Sequence, residues 1–234
     1  MNGLLRYLPR HFLDLLMTRG AVMVVIGFLL TLPMSLSGVD DATPEQLMRV
    51  LREALGSMGL FYTLLASYGL VGADVRQGFY RFLFAKPVSP VSYYLLSYVA
   101  TTIVFCLAIF ASFGLIAVMV APVWPGWPAL GDVLADYFLV SGLVLVFSRL
   151  TNADWIFGPV ILGVSALLRG NYPADQSALG KVLNVVLPPT DTGRLFPYDG
   201  GVNWEPLLIQ LAYAAVLVAL AMLIVRKLPM GSAR

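Results

Sequence analysis

Few residues in this 234-residue chain are of types that do chemistry, and their spacing narrows the choice further. There is one histidine, His11, and one cysteine, Cys106, too few for a structural metal cluster and incapable of an intrachain disulfide. A hydrolase working inside a membrane needs a nucleophile and a base buried together, and the only imidazole stands near the chain start. No Gly-rich loop ending in Lys-Ser or Lys-Thr is present. Gly69-Leu-Val-Gly72 lacks the lysine and reads as a helix end, so ATP is not bound by that route. We therefore expect no catalytic residue, no cofactor and no metal in this chain. Asp136 is different in kind, since an ionisable group inside an apolar run is the default functional candidate in a membrane. The hydroxyls of Thr31, Ser35, Tyr62, Thr63, Ser67 and Tyr68 could line a pathway or hold helices together, and taken singly each is explained by packing.

The elements that position these residues follow from composition. With 59% hydrophobic and 12% charged residues, the chain is far more apolar than a soluble domain. It reads as an all-α, polytopic membrane protein forming a single transmembrane domain over residues 1–234, with six transmembrane helices at 20–38, 52–72, 91–120, 133–150, 153–169 and 206–225. Residues 1–19 alternate Leu4, Leu5, Leu8, Phe12, Leu15 and Leu16 with Arg6, Arg10 and Asp14, the pattern of an amphipathic surface helix. Pro9 is tolerable there as a kink or in a first turn, and a plain basic tail is the alternative. The stretch after Arg19 has no small-residue cleavage site and is expected to stay as a span. Thr43-Pro44 with Gln46 opens the helix that becomes the second span. The run near Trp155 is short for a crossing, and Leu179, Val182, Leu183 and Val186 stripe a helix over 177–187 that is either re-entrant or interfacial. A fourth span beginning at Val133 sets Asp136 three or four residues inside it. At that depth a carboxylate is cheap, and a structural role suffices.

Orientation comes from basic residues. With the N-terminus inside, ten Lys and Arg fall on the cytoplasmic side and five on the other, which places both termini in the cytoplasm. The cytoplasmic set includes the segment 73–90, too charged for lipid through Asp74, Arg76, Arg81 and Lys86, and too apolar for a plain loop through Phe79, Tyr80, Phe82 and Phe84. Val75, Phe79, Phe82 and Leu83 fall at helical spacing, and Lys86-Pro-Val-Ser-Pro90 ends the helix. The positive-inside rule explains its charges but not its aromatics.

Read as Asp74-Val-Arg-Gln-Gly-Phe-Tyr-Arg-Phe-Leu-Phe-Ala-Lys-Pro-Val-Ser-Pro90, this segment resembles the loop between the second and third spans of ABC exporter permeases of the small six-span type with separate ATPase subunits. Here Asp74 is followed by Val rather than directly by a basic residue. The six spans, the N-terminal amphipathic helix and the Leu187-Pro188-Pro189 turn before the last span resemble the same family. The resemblance implies that 73–90 is a cytoplasmic coupling helix whose Asp74, Arg76, Phe79, Tyr80, Arg81 and Lys86 contact an ABC ATPase subunit, with ATP and Mg bound there and not on this chain. It implies further a second permease subunit, identical or related, a transport pathway between the two and export across a bacterial inner membrane. Lipid surrounds the assembly, and nucleic acid is no partner. A membrane scaffold or assembly subunit without transport is the alternative, a heme-exporter-like permease is a neighbouring one, and substrate identity is left open.

Overall fold

The computed structural model describes residues 2–36, 44–71, 89–119, 126–148, 154–172, 178–188, 195 and 201–227. These form helices α1 (Asn2–Leu15), α2 (Ala21–Leu36), α3 (Pro44–Ser67), α4 (Pro90–Met119), α5 (Gly126–Phe147), α6 (Asp154–Asn171), α7 (Ala178–Val186) and α8 (Trp204–Lys227), and no strand occurs among the described residues. Four segments are long and apolar enough to cross a membrane: Pro9–Leu30, Pro90–Met119, Trp127–Phe147 and Trp204–Arg226. The chain is an integral membrane protein. The apolar part of α6, Ile156–Asn171, is shorter, and α3 carries Glu45, Arg49, Arg52 and Glu53 in its first half.

α1 does not stand apart as a surface element. A π-helical turn, Leu16–Gly20, carries it into α2, and Pro9 lies inside α1 rather than at its start. His11 meets Ser97, Leu15 packs on Ala100 and Val104, and Gly27 faces Ser112, so this first helix runs alongside α4 in the same direction. The approach at Gly27 is close. A Cβ there would stand 2.2 Å from the Tyr62 hydroxyl and 2.7 Å from that of Ser112.

α5 is the central helix. Its span is 67% buried, against 39% or less for the other three, because α8, α3 and α6 all pack on it. Asp136 pairs with Gln210 and Gly142 faces Leu217, so α5 and α8 run parallel, and at Gly142 an added Cβ would lie 3.0 Å from the Leu217 Cβ. α8 buries Leu207, Gln210, Ala214, Leu217, Ala221 and Val225, a seam at three- and four-residue steps, while Leu208, Ile209, Val216, Leu220 and Leu223 face outward. An outward apolar stripe suits lipid, which solvates leucine as well as a core does. One core joins Leu51, Leu55, Met58 and Tyr62 of α3 to Phe105, Ile109 and Phe113 of α4 and to Val133 and Tyr137 of α5.

α3 ends sooner than residue 72. Its last helical residue is Ser67, and Gly69 takes a positive φ of 64°, the left-handed conformation that lets glycine close a helix. An Arg19 guanidinium N–H donates to the Ala66 carbonyl, satisfying one of the terminal carbonyls that a helix leaves open. α4 opens where Pro is well tolerated, at Pro90, with the Tyr93 N–H donating to the Ser89 carbonyl at 3.0 Å.

Candidate functional site

Of the residues that could do chemistry, the six proposed ATPase contacts, Asp74, Arg76, Phe79, Tyr80, Arg81 and Lys86, lie outside the described residues. Thr31 and Ser35 fall on α2, and their side chains lie outside the described set as well. The hydroxyls of α3 are placed by the core. Tyr62 is buried and meets Ser112 at 2.7 Å; Ser112 also donates to the Ala108 carbonyl at 2.9 Å, so Tyr62 is the donor of the pair. Thr63 and Ser67 are buried and donate to carbonyls of their own helix, Gly59 at 2.7 Å and Thr63 at 2.5 Å. Tyr68 alone of these is exposed, and with Phe61, Leu64 and Leu65 it lines an apolar hollow of about 280 Å³.

α4 extends this pattern with hydroxyls that lie outside the first two spans. The Tyr98 hydroxyl meets Ser141 of α5 at 2.8 Å. Thr102 donates to the Tyr98 carbonyl at 2.9 Å and so accepts from the Tyr137 hydroxyl at 3.0 Å. Ser97 meets the His11 Nε2 at 3.0 Å. The Tyr137 ring stacks on Phe105 with centroids 4.1 Å apart, which fixes where its hydroxyl can point. Each is a neutral polar group inside an apolar run, and that was the signal available. What they do is join helices.

Asp136 belongs to a different environment. α5 begins at Gly126, seven residues before the expected start, because Pro128 sits in the first turn, where a missing N–H costs nothing. Asp136 therefore stands nine residues from Trp127 and eleven from Phe147, roughly 13 and 16 Å along the axis, close to the middle of the span rather than at its rim. Its partner is Gln210, whose Nε2 donates to the Asp136 Oδ1 at 3.0 Å. Gln210 is 1% exposed, the one polar member of the buried α8 seam, and its Oε1 has no partner. Asp136 is exposed, the only such residue of α5 beyond Trp127. Beside the pair, Leu195 and Val202 pack on Ala135 and Leu207, and the Asn203 N–H donates to the Leu195 carbonyl at 2.8 Å. Gln210 was missed in the sequence because a lone neutral amide interrupts neither the hydropathy nor the charge pattern of its span.

A second polar contact lies along the same helix. The Tyr213 hydroxyl donates to the Val186 carbonyl at 2.6 Å, and Arg169 of α6 donates to the Leu187 carbonyl at 2.7 Å. Both acceptors are end groups of α7. Among the described residues no cluster of three or more His, Cys, Asp or Glu gathers as a metal site. No family model, no curated protein and no solved structure matches this chain.

Proposed function

We propose that this chain is the permease subunit of an ATP-driven exporter, with two such subunits flanking a pathway and separate ATPase subunits gripping residues 73–90. In this reading the chain crosses a bacterial inner membrane six times with both termini in the cytoplasm, α3 and α6 supplying the two crossings beyond the four most apolar ones. The observation that carries it is the mechanical setting of the segment. α3 and α4, the helices it joins, are tied to each other through Tyr62 and Ser112, and the end of α3 is tied to the first helix by Arg19 on the Ala66 carbonyl. A push on the segment would thus reach three helices at once. The Gly69 turn and the Ser89-Pro90 start bound that lever on both sides.

The α6–α7 pair supports a re-entrant hairpin before the last span. Tyr213 is nine residues into α8, roughly 13 Å along it, and it holds the end of α7, which favours the re-entrant reading over a helix lying flat on the surface. The test is purification of the tagged chain from its native membrane. An ATPase subunit is expected in equal amount, and the double charge reversal Arg76→Glu with Arg81→Glu is expected to release it. Purification without an ATPase, or unchanged association and ATP turnover in the variant, would favour a scaffold.

A further inference from the structure

We infer that Asp136 and Gln210 form a recognition point for an N–H-bearing organic cation, a primary or secondary ammonium on an apolar body. The pair offers three oxygen acceptors, the two of the carboxylate and the amide Oε1, against one amide NH2, one of whose two hydrogens is spent on Oδ1. That leaves the Oε1 without a hydrogen on a side chain that is 1% exposed, and a buried acceptor in that state costs free energy until a donor arrives. No cationic side chain among the described residues bonds Asp136, although it stands near the centre of an apolar span, where a carboxylate calls for a counter-charge.

The site discriminates among cations by coordination number. A divalent metal such as calcium takes six to eight oxygens, far more than this pair supplies. An ammonium takes two or three acceptors, which matches. A quaternary ammonium has no hydrogen to give the amide oxygen. Access is from the exposed edge of Asp136, with Gln210 behind it, so the ligand head would enter beside the carboxylate and share its hydrogens between the free carboxylate oxygen and Oε1 as the amide turns. The place of this site on a transport pathway rests on the permease reading; the binding itself does not.

The experiment uses the full chain in nonionic detergent and measures retention of radiolabelled dodecylamine on the immobilised protein. Saturable binding is expected, with affinity about tenfold or more weaker in Asp136→Asn and a smaller loss in the nearly isosteric Gln210→Met. Dodecyltrimethylammonium, of equal charge and tail, is expected to compete poorly. Equal binding by Asp136→Asn, equal competition by the quaternary analogue, or no saturable binding would each overturn the inference. Asn at 136 can still accept from Gln210 Nε2, so the variant is expected to fold, and the thermal midpoint of each variant checks this. Failure of the permease reading would show instead as loss of the ATPase from purified material with amine binding intact.

Discussion

The α3–α4 side of the bundle and the α5–α8 seam both bury polar groups, hydroxyl pairs on the one and a carboxylate with an amide on the other. On the first side three tyrosine hydroxyls close on hydroxyls of a neighbouring helix: Tyr62 on Ser112, Tyr137 on Thr102, Tyr98 on Ser141. In the seam one carboxylate stands open and one amide oxygen has no hydrogen. Satisfied hydroxyls cost nothing to keep and give helices a fixed register. An unsatisfied buried acceptor costs free energy at all times, and a donor that reaches it recovers that cost.

The contrast can be broken by substitution. The largest effect is expected from Gly27→Leu, which drives a side chain into the Tyr62–Ser112 contact and should cost about 3 kcal/mol as overpacking, seen as a lowered thermal midpoint in detergent and poor yield. Tyr62→Phe removes one closed hydroxyl bond. It should cost about 1 kcal/mol in the same measurement, since Ser112 keeps the Ala108 carbonyl. Tyr213→Phe frees the Val186 carbonyl for about 0.6 kcal/mol, the size of one hydrogen bond between membrane helices, and hydrogen exchange should quicken at amides of 178–187 before anywhere else. Asp136→Asn should change stability least, by under about 0.5 kcal/mol, while altering amine binding most. If instead it destabilised the chain as much as Tyr62→Phe, the two regions would be alike and the seam merely structural.

Much of this arrangement was legible in advance. Apolar runs announce helices, and Pro44 and Pro90 open theirs as prolines at a first turn should. Two things were not legible. The sequence starts the fourth span at Val133, yet a proline in a first turn lets α5 begin at Gly126, and that shift moves Asp136 from the rim to the middle of its span. The junction of α1 and α2 is hidden for a related reason. The change from an amphipathic to an apolar pattern at Arg19 looks like a boundary, whereas the backbone passes through it in a π-helical turn. Pattern reports which face is apolar. Only packing reports where a helix stops, and only packing sets Gln210 against Asp136.

The hold of Tyr213 and Arg169 on the end of α7 bears on its hydration. Carbonyls left bare at a helix end recruit water, and water drawn into hydrocarbon is a start for an ion leak. Here the Val186 and Leu187 carbonyls are met by protein donors immediately before Pro188, a residue with no N–H of its own to satisfy. These two carbonyls at the end of α7 thus have protein donors in place of water.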